Sequence, residues 1–461
     1  MKYLLSFILS IFILSCTPFE KENTATYFGG EILNPKSDFV LFLKDDIAID
    51  TFFLNNNNRF LAKFNNLKEG LYTFKHGLEF QYIYLEPADS LLVRLNTWDF
   101  DESIVFTGKG SSKNDFLINL FLQNENEEKT MYQYFKLDEN DFQAKLDSLL
   151  LERKNNYKNF VENEPDVSEG FDHLINFAIN LPLYRLKEAY PYYHKGAHHL
   201  KKFPKVSGNF YNFRNSINLN ESSLLSFYPY QNYLMNYLYN ISHQLKEKDS
   251  TKSDITINVL NAVIDNINSE VIKNTLLKRI IINDFMKAQN TCSINNEKLS
   301  IFLANCTNEA YIHLIQNLVN DSKFVKNKQP LPNFDIVSYN NTENNIREVI
   351  NHQNAVIYFW SSEYMSIDYL VSRVNFLKRK HPNTLFIGIQ MQPAFLNATN
   401  EPTLKKLDIN KQYKLTSNSA ANNFLTSRYP RTIIVNSEGN VLNGFTFLDS
   451  NNLSKELNKL H

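Results

Sequence analysis

The chain has 461 residues, more than a single hydrophobic core usually organises, so two or three domains are expected. Lysine and arginine number 48, aspartate and glutamate number 49, and the formal net charge is −1. This balance gives no sign of a strongly basic surface that binds nucleic acid or of an acidic tail, and no nucleic-acid partner is expected.

The first residues have the pattern of a secretory signal. Lys2 supplies a positive charge, and the uncharged stretch 4–14 is shorter than the roughly 20 apolar residues that span a bilayer. The ending "ILSC" resembles a bacterial lipobox, so residues 1–15 are expected to be a signal peptide and Cys16 to carry lipid; a signal peptide cleaved elsewhere is the alternative. The polar residues 16–25 would be a tether, and the mature chain is expected in the cell envelope, facing the periplasm or the cell surface.

Residues 26–110 have the pattern of short β-strands. In "DFVLFLKDD" and "AIDTFFLNNNNRFLAKF", apolar and aromatic residues recur near a period of two, and the asparagines at 55–58 separate two such runs as a hairpin turn would. Several short strands at close spacing predict a small antiparallel β-sandwich.

From residue 111 to residue 325 the apolar spacing changes to three and four residues, which predicts a helical region. The segment 108–113, "GKGSSK", lacks the spacing of a phosphate-binding loop. It is interpreted as a strand-to-helix turn with Ser111 or Ser112 near the helix cap.

Three histidines, His194, His198 and His199, lie close together in "YYHKGAHHLKKF". His194 and His198 have a metal-ligand spacing if the segment is helical, but Pro191 and Gly196 are expected to weaken that helix, and no carboxylate or cysteine completes a ligand set. Neither a metal nor a cofactor is predicted. The lysines that follow would suit an anionic glycan or lipid, although a solvated face is the simpler interpretation.

Two further cysteines, Cys292 and Cys306, lie in the helical region. In an oxidising compartment they would form a structural disulfide if their Cα atoms came within about 7 Å. Reduced, buried thiols are the alternative. A catalytic dithiol is less favoured, because the spacing lacks the helix-start geometry that lowers the pKa of a thiol.

Residues 326–461 predict a mixed α/β domain. The strand "AVIYFW" precedes a helix whose apolar face recurs at helical spacing, and "TLFIGIQM" is a second buried strand. "TIIVNSEGNVL" predicts a hairpin, and "NNLSKELNKL" predicts a closing helix. This order indicates a mixed sheet covered on both faces.

Three motifs in this last segment resemble the thioredoxin-like domain of the TlpA and peroxiredoxin-related envelope family. "PLPNFDI" is similar to its opening Ala-Pro-x-Phe motif, "AVIYFWSS" to its Val-Leu-x-Phe-Trp-Ala-Ser strand, and "RYPRTIIVNSEGNV" to its Pro-Thr strand and Asp-x-x-Gly return. The chain is also similar to bacterial lipoproteins that place a β domain and helices ahead of such a domain. The implied fold class is multidomain α+β: an N-terminal antiparallel β-sandwich-like domain, a central helical region and a C-terminal thioredoxin-like α/β domain.

The resemblance implies thiol–disulfide oxidoreductase activity, but the residues that carry this activity are missing. The family's Cys-x-x-Cys falls on "YMSI", so that Tyr364 and Ile367 replace the two cysteines. Exchange needs an attacking thiolate and a second thiol, which a phenol of pKa about 10 and an isoleucine cannot supply. A serine nucleophile would need a base, and Ser361 or Ser362 is instead expected to cap the following helix.

The binding part of the family's site has counterparts here. The family's cis-proline matches Pro430, preceded by Tyr429. With Trp360 and Tyr364 these residues are the peptide-binding candidates, since Tyr364 and Tyr429 would form an aromatic lip. The alternative is that Pro430 is a relic of the fold and that both tyrosines only cover the core.

The sequence therefore predicts a cell-envelope lipoprotein that is redox-inactive and acts as a binding or scaffold module. Its membrane contact would be the lipid on Cys16, and its partner an envelope protein or peptide. The alternative is an envelope oxidoreductase that uses Cys292 with Cys306, or the thiol of a partner.

Overall fold

The computed structural model describes residues 25–164, 166–287, 295–362, 364–391, 406–450 and 452–460. Within these ranges the chain divides into two compact units, residues 25–126 with 156–175 and residues 127–155 with 176–460. The first unit contains the β domain with parts of the helices that follow it. The second contains the other helical segments and the C-terminal sheet. The domain limits expected from the sequence stay predictions.

Eight strands form two sheets in the first unit. They are β1 Thr26–Leu33, β2 Phe39–Lys44, β3 Ile47–Phe53, β4 Arg59–Phe64, β5 Gly70–His76, β6 Glu79–Leu85, β7 Ser90–Asn96 and β8 Val105–Lys109. The strand orders are β4-β1-β7-β8 and β3-β2-β5-β6. Strands β1 and β7 are parallel, so the expectation of a wholly antiparallel sandwich is wrong at this pair. The reason is the connection after β6, which carries the chain into the other sheet, beside β1.

Aromatic rings from both sheets make up the core of this unit. The ring of Phe28 on β1 lies 5.6 Å from that of Phe42 and 5.8 Å from that of Phe74 between centroids. Tyr72 stacks on Phe42 at 5.0 Å. The period-two alternation in the sequence thus marks the faces that meet in the sandwich.

Helices make up most of the chain between the two sheet regions. They are α1 Ser111–Met131, α2 Glu139–Asn163, α3 Glu169–Ala197, α4 Tyr228–Lys248, α5 Ile255–Asn266, α6 Glu270–Lys287, α7 Asn296–Asn305 and α8 Glu309–Phe324. Helix α3 continues through Pro182 and Pro191, so the expectation that Pro191 weakens the helix at the histidines is wrong. Burial of Leu186 and Tyr190 on the same helix outweighs the one backbone hydrogen bond that a proline removes.

A seven-stranded mixed sheet organises the C-terminal part of the second unit. Its strands are β9 Asp335–Ser338, β10 Glu343–Asn345, β11 Ala355–Trp360, β12 Leu385–Gln390, β13 Gln412–Lys414, β14 Arg431–Val435 and β15 Val441–Thr446, in the order β10-β9-β13-β12-β11-β14-β15. Strands β11, β12 and β13 are parallel, whereas β14 and β15 form an antiparallel hairpin beside β11. Three helices belong to this part: α9 Ile346–Ile350, α10 Ile367–Lys380 and α11 Leu453–Leu457.

Strand β11 lies inside the sheet, and all six of its residues are buried. Ile357 and Phe359 belong to the core cluster on one face of the sheet. Tyr358 and Trp360 belong to the cluster on the other face, which includes apolar residues of α10. The residues that follow β11 therefore lie at the carboxyl end of the strand. This is the edge where open α/β sheets usually bind their ligands.

Candidate functional site

The candidate site lies where β11 ends and α10 begins. The hydroxyl of Ser366 accepts a hydrogen bond from the backbone N–H of Tyr369, at 3.2 Å, and caps the helix. The expectation that Ser361 or Ser362 is the cap is therefore wrong. Both serines are buried, and the carbonyl of Ser361 accepts a bond from the N–H of Tyr364 in a turn that precedes the helix.

Tyr364 and Ile367 are the two residues that the sequence resemblance aligns with the family's cysteines. The side chain of Tyr364 is 46% exposed, whereas Ile367 is half-buried and packs against the α10 core cluster. Neither side chain has an atom that forms a disulfide. Glu363, beside them in the sequence, lies outside the described residues.

The rings of Tyr364 and Tyr429 are in contact at this site. Their centroids lie 4.9 Å apart and the ring planes are inclined by 37°. Tyr429 is half-buried, and this burial raises the pKa of its phenol, so the group stays neutral at physiological pH. The structure thus brings together the two residues expected to form a lip, while their peptide-binding role stays a prediction.

Pro430 does not have the cis peptide bond that the family resemblance implies. The described residues contain no cis peptide bond, so the Tyr429–Pro430 bond is trans. The trans form of such bonds is intrinsically favoured by about 0.5–1 kcal/mol. Arg428, two residues before Pro430, has a φ of 61°, in the left-handed region.

Trp360 is also placed differently from the expectation. It is only 2% exposed and packs in the core cluster beneath α10. Its indole N–H finds no acceptor among the residues that the structure describes. Trp360 therefore contributes packing beneath the site and is not itself a peptide-contacting residue.

Asp321 on α8 anchors the loop that carries Tyr429. Its carboxylate accepts four hydrogen bonds of 2.6–2.8 Å, from the backbone N–H and the hydroxyl of both Thr426 and Ser427. The residue is buried, and hydrogen bonds to a carboxylate are among the strongest in proteins. The anchor was not predicted from the sequence, because its partners lie far apart in the chain; the polar run "TSR" ahead of "YPRT" was the available signal.

Arg431 holds the same loop from the strand that follows it. The buried guanidinium donates hydrogen bonds to the carbonyls of Phe424, at 2.6 Å, and Gly444. Burial lowers the pKa of Arg431 to about 10, an effect that the charge of Asp321 opposes. Arg431 therefore stays charged at neutral pH, and the loop is fixed on both sides of Tyr429.

Cys306 follows α7 and is buried. Burial raises the pKa of its thiol, which lowers the fraction of reactive thiolate. Cys16 and Cys292 lie outside the described residues, and so does the disulfide considered between Cys292 and Cys306.

The histidine cluster has a structural role. The ring of His194 donates from Nδ1 to the carbonyl of Phe135, at 2.9 Å, and the ring of His198 donates from Nε2 to the carbonyl of Lys136, at 3.0 Å. Because a carbonyl can only accept, these two nitrogens carry protons and are not metal ligands here. Among the described residues no group of three or more His, Cys, Asp or Glu side chains is arranged to hold a metal ion.

No family model matches the chain, and no curated protein sequence is significantly similar to it. Solved structures that resemble it include the thioredoxin domain of a thiol-disulfide oxidoreductase from Bacteroides vulgatus, with 14% identity over 26% of this chain and 86% of that one, at a TM-score of 0.20. A secreted disulfide oxidoreductase from Mycobacterium tuberculosis has 13% identity over 27% and 95%, at 0.21. An exposed lipoprotein thioredoxin from Streptococcus pneumoniae has 15% identity over 28% and 100%, at 0.21. Likenesses of this strength carry no conclusion about activity.

A helix that crosses a bilayer needs about 20 largely apolar residues. Across the ranges that the structure describes, no helix combines the necessary length and apolarity. The expected signal segment and Cys16 precede those ranges, so export and lipid attachment stay predictions from the sequence.

Proposed function

We propose that this chain is an exported, lipid-anchored protein whose C-terminal α/β domain binds extended peptide segments and does not catalyse thiol–disulfide exchange. The observation that carries the proposal is the contact between Tyr364 and Tyr429 at the carboxyl end of β11, where the family's cysteines would stand. The export signal and the lipid on Cys16 rest on the sequence alone.

The chemistry of the tyrosine pair favours binding. Two phenol rings offer apolar faces together with hydroxyl groups, and aromatic residues of this kind are enriched at peptide-contacting surfaces. Tyr364 is close to half exposed, so its ring is accessible. The loop beneath Tyr429 is fixed by Asp321 and Arg431, and a fixed surface loses little conformational entropy when it binds.

The backbone beside the pair supports the same function. The carbonyl of Tyr429 accepts no hydrogen bond from the residues that the structure describes. An extended peptide that aligns beside a chain segment donates its backbone N–H groups to unpaired carbonyls of that segment. We therefore propose that the backbone at Tyr429 forms hydrogen bonds with the peptide backbone. The rings of Tyr364 and Tyr429 would select the side chains of the peptide.

The redox alternative is less well supported. Cys306 is buried and its thiol has a raised pKa, whereas thiols that attack disulfides are accessible and have lowered pKa values. Cys292 lies outside the described residues, so the alternative rests on the sequence alone.

The test is selection of short unstructured peptides on the purified full chain, followed by affinity measurement with the enriched peptides. We expect enrichment of peptides with aromatic or aliphatic residues, and affinity at least about tenfold weaker in the variant Tyr364→Ala/Tyr429→Ala. Tyr369→Ala is the matched control, because Tyr369 is 49% exposed on the neighbouring helix. Equal affinity of the double variant, or no enriched peptide, would contradict the proposal.

A further inference from the structure

A large cavity lies among the helices of the second unit. Its volume is about 1220 Å³, above the roughly 300–1,000 Å³ of pockets for single small molecules. It is lined by the end of α1, the turn Tyr134–Lys136, α3 from Arg185 to its end, the segment 199–203 and α4. These residues are separate from the site at Tyr364 and Tyr429, so a ligand of the cavity is independent of the peptide-binding proposal.

Exposed aromatic rings line this cavity. Tyr132, Tyr192 and Tyr193 are 61%, 49% and 53% exposed. The ring of Tyr193 packs on Phe135 at 4.8 Å, and that of Tyr192 packs on His243 at 4.6 Å. Tyr192 and Tyr193 also contact each other edge to face, at 5.3 Å between centroids. The protein thus supports both rings, and about half of each side chain remains exposed. Such faces suit ligands with ring-shaped C–H surfaces, because the π-electron face of an aromatic ring attracts polarised C–H groups.

The charges in the cavity are predominantly positive. Four cations line it against two carboxylates: Lys136, Lys195, Lys246 and Arg185, against Glu128 and Glu247. Arg185 pairs with Glu128 and Lys195 pairs with Glu247. Lys136 and Lys246 form no ion pair with any residue that the structure describes. Two cations are therefore available for an anionic ligand.

Polar groups in the cavity are suited to hydroxyl groups. The carboxylates of Glu128 and Glu247 are held in place by their cations and keep acceptor capacity. Burial, together with the charges of Lys246 and Lys195, lowers the pKa of His243. Its imidazole is therefore neutral at pH 7 and has both a donor and an acceptor nitrogen.

The histidine cluster fixes the wall of the cavity that carries Phe135 and Lys136. His194 and His198 each bind a backbone carbonyl of the turn Tyr134–Lys136. These bonds hold the turn against the C-terminal end of α3. The backbone of Phe135 and Lys136 is therefore fixed in position. The cavity is thus a preformed site, as ligand sites usually are.

We propose that this cavity binds an acidic oligosaccharide, a short chain of sugar rings that bear carboxylate groups. The C–H faces of the sugar rings lie on Tyr192 and Tyr193, and the carboxylates pair with Lys136 and Lys246. The sugar hydroxyls donate to Glu128 and Glu247. The volume accommodates several sugar units.

Other ligand classes fit these observations less well. A fatty acid or lipid tail needs an apolar enclosure, whereas this cavity is lined by charged residues of both signs. A nucleotide is usually held by a glycine-rich loop or a cluster of backbone N–H groups, and Gly196 is the single glycine among the lining residues. An acidic peptide shares the charge requirement but offers few ring-shaped faces for the tyrosines.

The test is calorimetric titration of the full chain with a panel of uronic-acid tetrasaccharides, each beside its methyl ester, which has the same shape without the charge. Binding of at least one acid is expected, with its ester about tenfold weaker or more. Tyr192→Ala/Tyr193→Ala and Lys136→Gln/Lys246→Gln are each expected to weaken binding of the acid about tenfold. Tyr369→Ala and Lys380→Gln are the controls, because both residues are exposed on α10, and they should leave the affinity unchanged.

Each other result overturns the inference. Failure of every acid to bind excludes the ligand class, and equal affinity for acid and ester excludes the role of the lysines. Tighter binding of a glutamate-rich peptide than of any tetrasaccharide assigns the cavity to peptides if Lys136→Gln/Lys246→Gln weakens that binding and Tyr364→Ala/Tyr429→Ala does not. Loss of binding in the α10 controls places the ligand elsewhere. Circular dichroism of each variant confirms that the comparison is made between folded chains.

Discussion

The rings of Tyr364 and Tyr429 lie in contact, 4.9 Å apart between centroids, although one residue precedes α10 and the other precedes β14. The sequence resemblance aligns Tyr364 with the first of the family's two cysteines. Because Asp321 and Arg431 fix the loop of Tyr429, the pair is a surface with a defined shape. The peptide-binding surface that we propose is built on this contact.

Removing the pair is expected to leave the fold intact. Aromatic pairs contribute about 0.5–1.5 kcal/mol beyond the area they bury, and neither tyrosine is fully buried. Tyr364→Ala/Tyr429→Ala should therefore lower the free energy of unfolding by no more than about 2 kcal/mol. The measurement is urea unfolding followed by the fluorescence of buried Trp360, in a Trp98→Phe background, because Trp98 is exposed. A larger loss of unfolding free energy would show that the two tyrosines stabilise the core by covering it, which is the alternative that the sequence leaves open.

Asp321→Asn is expected to be much more damaging than its small change in shape suggests. An amide cannot accept all four of the hydrogen bonds from Thr426 and Ser427, and its NH₂ group would face donors. We expect a loss of about 2–4 kcal/mol in the free energy of unfolding, measured by the same fluorescence. Asn320→Ala is the control on the same helix, since its one bond to the loop, to the carbonyl of Asn423, is long and exposed. Equal losses in the two variants would refute the anchoring role.

Asp101 in the β domain predicts a pH dependence of stability. Burial, together with the charges of Glu125, Glu79 and Glu102, raises the pKa of Asp101 to about 6, against the hydrogen bond from Gln81. The folded state therefore holds its proton more tightly than the unfolded state, and this stabilising contribution is present below about pH 4 and is lost as the pH rises through about 6.

Replacing Asp101 with Asn tests the direction of this pH dependence. Asp101→Asn removes the ionisation, so its stability relative to the original chain should be higher at pH 7 than at pH 4. Thermal unfolding at both pH values measures the difference. A variant whose relative stability is the same at pH 4 and pH 7 would contradict the raised pKa.

His199→Gly is expected to stabilise the chain. Helix α3 ends in a Schellman motif, in which the N–H of Leu200 donates to the carbonyl of Lys195 and the N–H of His199 to that of Gly196. His199 has a φ of 53°, a left-handed conformation that costs a residue with a side chain about 1 kcal/mol and glycine almost nothing. A higher melting temperature is expected for His199→Gly and a lower one for His198→Gly, which loses the bond to Lys136. A lower melting temperature for both would refute the strain at His199.

The regular elements of the C-terminal part could be predicted because their sequence patterns are local. Strand β11 is an unbroken apolar run, and α10 repeats apolar residues at helical spacing, so both elements were expected where the structure has them. Strands β10 and β13 have three residues each, too few to show a period, and the sequence contains no sign of them.

The site itself could be predicted only in part, because its geometry depends on distant contacts. The family resemblance indicated that Tyr364 and Tyr429 would lie side by side, but nothing local indicated that Asp321 binds Thr426 and Ser427. The helix through Pro191 was missed because its stability comes from packing along the buried face. The cavity lined by α3 and α4 was likewise missed, since it depends on how separate helices pack.

Insulin-disulfide reduction by the full chain, with a dithiol as electron donor, decides whether the chain has redox activity. A second set of measurements uses Tyr364→Cys/Ile367→Cys, which places two thiols at the start of α10. We predict no turnover above background for the original chain and measurable turnover for the double variant. Turnover by the original chain that is lost in Cys292→Ala/Cys306→Ala would refute the loss of activity and would place the redox chemistry in the helical region.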